Sequence, residues 1–361
     1  MDQKTALLWW QLNVLSKRRY EAILEVYGSL DEASKHVGEE FLRGLGVRDD
    51  AVRAALIRLE TFDADTMAKK LIEKEVTLLS IDDEAFPAIL RQMGDPPIFL
   101  SYLGDLSCLT QPLIAVVGTR GMTAYGRRVV GEFVPRFVQA GCVTVSGLAQ
   151  GIDTVVAQET LRAGGRTVAV LGHGLGNIFP TNNVKLADEI LEKGGLLLSE
   201  FPIDMSPDFY TFPSRNRLIA GLGLGTLVIE APAKSGALIT AELALDYDRD
   251  VFAVPGPLFD PNAVGVNDLI ARGLARLVTA PDDVLREIGI VAPDGAQATS
   301  SYTPETEDEK KVWKALTTMP QPVDDLVVAS GLPAPAVAAT LTMMELAGVT
   351  KKVGAGRWVR G

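Results

Sequence analysis

Cysteine and histidine are nearly absent. Among 361 residues there are two of each: Cys108, Cys142, His36 and His173. Two cysteines exclude a disulfide-stapled scaffold and a zinc knuckle. Two imidazoles argue against a histidine-rich metal centre or a histidine-driven triad, so no metal and no cofactor is expected. Positive charge is also in deficit, with 35 Lys and Arg against 46 Asp and Glu, a net charge of −11. That balance argues against a generic charge-driven nucleic-acid binder, which is normally basic. It leaves room for a local basic site.

Long hydrophobic runs are missing too. The most apolar uncharged run, 218–229, has 12 residues and three glycines, whereas a membrane-spanning helix needs about 20. Residues 1–20 lack a basic start followed by an apolar stretch and a small-residue cleavage site. A soluble, cytoplasmic protein without a membrane segment is expected. The apolar content of 47% suits a large buried core. At about 100–200 residues per domain, the length predicts two or three domains.

Residues 1–70 read as helices, with apolar residues at helical spacing in 6–15 and 51–59 and glycines between them. Residues 41–47 (FLRGLGV) resemble the hairpin of a helix-hairpin-helix element, although a tight interhelical turn is the simpler reading. Residues 71–110 read as a connector with a strand-like stretch at 76–80. From Pro112 the pattern changes. Strand-like runs at 113–117, 142–145, 167–171, 196–199, 226–229 and 251–254 alternate with helical stretches at 123–140, 154–163, 184–193 and 237–246. This predicts an α/β fold, a doubly wound, mostly parallel sheet over 111–290. Residues 291–304 look like a linker. Residues 305–361 read as three helices and a short wing, a winged-helix pattern. Its third helix, 335–347, holds no Lys or Arg. That favours protein contact or packing over reading of base edges, and the basic residues Lys351, Lys352, Arg357 and Arg360 fall on the wing.

Chemistry concentrates where strands end. The first strand of 111–290 leads into Gly118-Thr119-Arg120-Gly121. The second leads into Ser146-Gly147-Leu148-Ala149-Gln150-Gly151-Ile152-Asp153, and the third into Gly172-His173-Gly174. Glycine lets backbone amides approach an anion, and a following helix N-terminus adds a favourable dipole. One such loop is an ordinary tight turn. Three on one sheet edge, with Arg120 in the first, point to a phosphate-binding rim. His173 alone reads as a hydrogen-bonded loop residue. No dinucleotide fingerprint or P-loop is correctly placed.

A second cluster is Phe212-Pro213-Ser214-Arg215-Asn216-Arg217. Arginine makes forked contacts to phosphate, and an aromatic face stacks an unpaired base. The competing reading pairs the arginines with carboxylates such as Glu200 or Glu230. Arg217, just before the apolar run, is the better candidate for that structural role. The third cluster is Glu230-Ala231-Pro232-Ala233-Lys234-Ser235-Gly236, followed by Thr240. Lys234, Ser235 and Gly236 are candidate phosphate contacts. Glu230, Asp153 and Thr240 are expected to hold loops, because no second carboxylate or nucleophile accompanies Glu230.

The ordered motifs VGTR…YG, SGLAQGID, FPSRNRLIAGL, EAPAKSGALITA and VPGP…GVNDLI resemble the DNA-processing protein DprA (Smf) family. The resemblance covers nearly all of 111–280, with weaker similarity upstream through Asp95-Pro96-Pro97. It implies an extended Rossmann-like domain, an N-terminal helical SAM-like domain and a C-terminal winged helix. It also implies a non-enzymatic role. Such proteins bind single-stranded DNA entering the cell in natural transformation, protect it and help load RecA, commonly as homodimers. By motif, Arg120 would contact phosphate, and Ser146, Gly147, Gly151 and Asp153 would shape the second loop. Phe212, Arg215 and Arg217 would belong to the strand pocket, and Ser235, Gly236 and Thr240 to the next loop. This chain departs from the family pattern with Gln158 in place of histidine, Gly176 in place of aspartate and Phe179 in place of tyrosine. Two other readings compete. One is a nucleotide-processing enzyme of the lysine-decarboxylase-like group, whose Pro-Gly-Gly-x-Gly-Thr-x-x-Glu signature is missing. The other is a protein-interaction adaptor acting through the tail.

Overall fold

The β-branched runs of 111–290 form the parallel heart of one nine-stranded sheet. A computed structural model describes residues 1–290, 304, 306–317, 321–347, 349–353 and 357–360. It falls into two units, Met1–Ala292 and Pro293–Gly361.

Strand β3 (Leu113–Val117) is buried along its whole length and pairs in parallel with β4 (Val143–Ser146) and β7 (Gly225–Val228). Strand β5 (Thr167–Val170) and β6 (Leu196–Ser199) extend one side, and β8 (Asp250–Ala253) and β9 (Arg276–Leu277) the other. Successive side chains of a strand point to opposite faces, and β3 uses both. Ile114 and Val116 pack with α8 (Ala124–Gln139), α9 (Ile152–Arg162) and α14 (Pro281–Glu287). Leu113, Ala115 and Val117 pack with α11 (Thr211–Leu222), α12 (Gly236–Asp246) and α13 (Val264–Ala271). Burial on both faces explains the near-continuous aliphatic runs in the sequence. Helix α11 carries Arg215 and Arg217 in its first two turns, the helix start that the structural reading of that cluster entails. The apolar run 218–229 is the end of α11 joined to β7.

The expected connector differs from the structure. Strand β1 (Thr77–Ser80) and β2 (Phe99–Gly104) join the sheet as antiparallel edge strands, β1 on β2 and β2 on β6. The full order is β1-β2-β6-β5-β4-β3-β7-β8-β9. A short helix, α7 (Ala88–Arg91), lies between β1 and β2 in the chain. The segment therefore completes the core rather than leading into it. The strand-like stretch at 76–80 corresponds to β1, whereas β2 is not among the strand-like runs read from the sequence.

Six helices precede β1: α1 (Gln3–Leu12), α2 (Lys17–Tyr27), α3 (Leu30–Ser34), α4 (Glu39–Gly44), α5 (Asp49–Glu60) and α6 (Ala64–Glu73). Asp2, Ser16, Ser29 and Asp63 cap four of them by accepting backbone N–H bonds, the role these short polar side chains fill best. Their core, centred on Trp9, Trp10 and Leu42, is continuous with Leu197 of β6 and with Leu186 and Ile190 of α10 (Val184–Glu192). In the 41–47 hairpin the N–H groups of Leu45, Gly46 and Val47 donate to carbonyls of Phe41, Arg43 and Leu42. Arg19 in turn donates to the Leu45 and Gly46 carbonyls. The amides are already committed, so the hairpin is an interhelical turn.

The second unit holds α15 (Glu307–Ala315), α16 (Val323–Ser330) and α17 (Ala334–Leu346). Its small sheet sets β12 (Arg357–Arg360) between β10 (Gln321–Pro322) and β11 (Thr350–Val353). Val312, Leu326, Leu341, Met344 and Trp358 form its core. This is the expected winged helix. The expected linker at 291–304 lies outside the described residues except for Pro304. Among the described residues no single helix is long and apolar enough to cross a membrane.

Candidate nucleic-acid interface

Strands β3 to β6 step to one side of the sheet and β7 to β9 to the other, so the winding direction reverses between β3 and β7. Loops leaving two such strands diverge and open a crevice at their carboxyl ends. A cavity of about 280 Å³ lies there, lined by Gly118, Thr119 and Arg120 after β3 and by Lys234, Ser235 and Gly236 after β7. Phe212, Arg215 and Asn216 of α11 and Ala149, Asp153 and Thr240 also line it. Three sequence clusters, far apart in the chain, therefore meet at one place.

Close backbone packing builds the rim. The Thr119 N–H donates to the Glu230 carbonyl at 2.8 Å, and the Ile152 N–H donates to the Thr119 carbonyl at 3.2 Å. Gly151 has φ +84°, and a Cβ there would lie 2.4 Å from the Thr119 carbonyl oxygen. Only glycine fits that position. The buried Glu230 carboxylate accepts from the Thr123 N–H at 3.0 Å and from the Thr123 hydroxyl, holding the start of α8. The amide end of α12 opens on the cavity, where Ser235 caps it by accepting from the Ala237 N–H at 3.3 Å. A helix N-terminus of this kind favours an anion.

The cations divide sharply. Arg120 and Lys234 are exposed, with no ion pair among the described residues. The Arg120 guanidinium lies over the Phe212 ring, 4.9 Å from its centroid, a cation–π geometry. Arg215 is only 4% exposed. Its Nη1 donates to the Gly147 carbonyl at 2.9 Å and to the Val170 carbonyl, and its Nε donates to Asn216 Oδ1 at 3.2 Å. Burial lowers its pKa to about 10, opposed by the nearby Asp153 carboxylate. Asp153 accepts from the Gly147 and Ala149 N–H groups at 3.2 and 3.3 Å. Burial pushes its carboxyl up, and Arg215 pulls it back down.

Several expected phosphate contacts stand elsewhere. Arg217 does not line this cavity. It bonds the buried Glu200 carboxylate and donates to the Asp95 carbonyl at 2.8 Å. Ser146 is buried and donates to the Val116 carbonyl at 2.8 Å, tying β4 to β3. Gly151 packs loops together and does not line the cavity. Gly147 faces the Arg215 guanidinium, which a Cβ would approach to 2.6 Å. Asn216 donates to the Gly236 carbonyl at 3.3 Å, tying α11 to α12. The cavity cations free to meet a ligand are thus Arg120 and Lys234.

A second cavity of about 100 Å³ adjoins the first and shares Arg120, Ala149 and Phe212 with it. Gln150, Gly172, His173, Phe179 and Pro180 help to complete it. The sequence reading passed over Phe179 as a doubtful departure. No sequence signal singles it out, because the Phe-Pro pair recurs at 86–87, 179–180, 201–202 and 212–213.

Residues 77–289 match the family described as DNA recombination-mediator protein A, and residues 296–356 match the DprA winged helix domain. The chain is 39% identical over 285 residues to Protein Smf of Escherichia coli, covering 77% of this chain and 76% of that protein. It is 40% identical over 261 residues to the DNA processing protein DprA of Streptococcus pneumoniae, covering 71% and 90%. The X-ray structure of the Streptococcus pneumoniae DprA aligns with TM-score 0.65 and 34% identity, over 78% of this chain and 95% of that one. A DNA processing protein A from Helicobacter pylori, solved to describe its single-stranded DNA binding mode, aligns with TM-score 0.53 and 31% identity. That alignment covers 59% of this chain and 95% of the other. These matches, spanning both the sheet domain and the tail, show that the chain belongs to the DNA recombination-mediator protein A (DprA, Smf) family.

Proposed function

We propose that this chain is a non-enzymatic, cytoplasmic recombination mediator. It binds incoming single-stranded DNA, protects it and helps load RecA during natural transformation, acting as a homodimer. The observation that carries the DNA reading is the pairing of Arg120 with Phe212 beside the amide end of α12. A cation for phosphate and an aromatic face for a base stand within one cavity. The stacking face is useful only to an unpaired base. The binding reading, rather than a catalytic one, rests on the two carboxylates of the crevice. Glu230 spends both oxygens on the Thr123 N–H and hydroxyl, and Asp153 accepts two backbone amides on Oδ2 beside the Arg215 charge. The Helicobacter pylori relative, described for its single-stranded DNA binding, supports the ligand class.

A paired titration of single-stranded and duplex DNA over a salt series tests this. Single strands should bind more tightly, and affinity should fall with salt as counterions are released. Equal affinity for the two forms would refute the reading. Arg120→Glu combined with Lys234→Glu should abolish binding while the circular dichroism spectrum stays native. Truncation after residue 290 tests the division of labour. DNA binding should survive, and any stimulation of RecA that needs the tail should be lost.

A further inference from the structure

We propose that the N-terminal helices position the DNA crevice, and that Trp10 is the positioning residue through which they act. The inference rests on the single-strand reading. It assigns part of that site's geometry to a residue that lines neither cavity.

Three loops of the sheet domain place apolar side chains in the core of the helical region. Leu148 follows β4, Leu171 and Leu175 follow β5, and Ile203 follows β6. All four are buried in one cluster with Trp9, Trp10 and Leu12 of α1. Gly147, Ala149, Gly172 and His173, which line the smaller cavity, belong to the first two of these loops. The third runs from Glu200 to Asp208 and leads into α11, which brings Phe212 and Arg215 to the larger cavity. The helical core is thus a floor under the loops of the crevice, and a close-packed floor transmits displacement.

Segment 200–208 is the joint. On one side it is tied to the loop after β5. The Gly174 N–H donates to the Met205 carbonyl and the Gly176 N–H to the Ile203 carbonyl, both at 2.8 Å. A Cβ on Gly174 would lie 1.9 Å from the Pro202 carbonyl oxygen, so the two backbones touch and move together. On the other side a cavity of about 420 Å³ opens among Gln11, Arg58, Pro202 and residues 204–208. Packing leaves that side open, so its place depends on individual contacts. Trp10, 2% exposed, donates its indole N–H to the Glu200 carbonyl at 3.2 Å. Asn13 Nδ2 donates to Met205 Sδ at 3.5 Å, and Lys70 pairs with Asp204 at 2.5 Å. A thioether is a weak acceptor and an exposed ion pair contributes little, so the indole bond is the strongest of the three. Glu200 also holds Arg217 of α11 through its carboxylate. Glu200 thereby links Trp10 of α1 to the helix that carries Phe212.

Two readouts on the full chain test this. Trp10→Phe keeps a ring in the core and removes the indole N–H. Its affinity for a thymidine oligomer should fall about fivefold, the scale of one net hydrogen bond. The slope of log affinity against log salt should stay unchanged, because no phosphate contact is lost. The second readout uses the unsubstituted protein. Coupling between two sites is reciprocal, so bound single-stranded DNA must in turn hold the Trp10 contact. With isotope-labelled tryptophan, hydrogen exchange of the Trp10 indole N–H should slow when the oligomer is added, and Trp10→Phe identifies its resonance. Trp9 is the internal control, because its indole N–H bonds the Leu30 carbonyl at 3.1 Å within the helical region. Its exchange should not change. Wild-type affinity in Trp10→Phe with a native melting curve would overturn the positioning role while leaving single-strand binding intact. So would Trp10 exchange that DNA slows no more than that of Trp9. Failure of the unsubstituted chain to prefer single strands over duplex would instead strike the functional reading itself.

Discussion

The rim formed by the β3 and β7 loops and the first two turns of α11 each carry two cations, and they use them in opposite ways. Arg120 and Lys234 on the rim are exposed and free of ion pairs among the described residues. Arg215 on α11 is buried against carbonyls, and Arg217 is half-buried against a carbonyl and the Glu200 carboxylate. A charge taken out of water must be matched by partners already present in the protein, and those partners leave it little to offer a ligand. An exposed guanidinium keeps its bonding capacity for whatever arrives. The lesson concerns a family-level motif. Of the FPSRNR arginines, Arg215 holds the loops behind the pocket and Arg217 ties α11 to Glu200 and Asp95, while the single arginine of VGTR lines the pocket.

The largest expected effect follows from Arg215. Arg215→Ala removes the nearby cation that favours the buried Asp153 carboxylate and takes a hydrogen bond from each of the Gly147 and Val170 carbonyls, costing about 3–5 kcal/mol. Urea denaturation should show it, and Arg215→Lys should not rescue, since an ammonium lacks the planar fork. A cost below that of a surface substitution would break the contrast between rim and helix.

Gly151→Ala should come next. It forces a side chain into a left-handed φ and onto backbone oxygens of Thr119 and Arg120, costing about 2–4 kcal/mol from strain and overlap together. The same denaturation experiment reads it, and loss of DNA binding should track the unfolded fraction. Arg217→Met strips the buried Glu200 of its cation and costs about 1.5–3 kcal/mol. The affinity of the folded fraction for DNA should stay unchanged. A direct loss of affinity would move Arg217 back to the ligand side of the comparison.

The smallest stability effect is expected on the rim. Arg120→Ala and Lys234→Ala should each stay within about 0.5 kcal/mol of wild type. Each should also lower the salt slope for single strands by about 0.7, one phosphate contact apiece. If either destabilised the fold by several kcal/mol, the rim cations would be structural like those of α11.

The sheet domain was largely legible in the chain. Aliphatic runs buried on both faces left a periodic signature, and the parallel strands β3 to β8 fall on or within a residue or two of it. Edge strands β1 and β2 were not legible as parts of the sheet. Their place is set by pairing, β1 on β2 and β2 on β6, almost a hundred residues downstream, and not by their local pattern. The division between Arg215 and Arg217 was half legible. Proximity to the apolar run marked Arg217 as structural, but nothing marked Arg215. Two residues apart on a helix point about 200° away from each other. One therefore faces the loops after β4 and β5, and the other faces Glu200 and Asp95.

The acidic balance, the scarcity of histidine and cysteine, the alternation of strands and helices and the order of glycine-rich loops belong to the sequence alone. They set a doubly wound domain with a local rather than a global cationic site. The tertiary structure decided which cations face solvent, which glycines serve packing instead of a ligand, and that Phe179 shares a cavity with Phe212. These depend on what surrounds each residue after strands distant in the chain have paired. Burial and partner geometry are properties of that assembled neighbourhood, and neither is carried by a residue's type or its place in a motif.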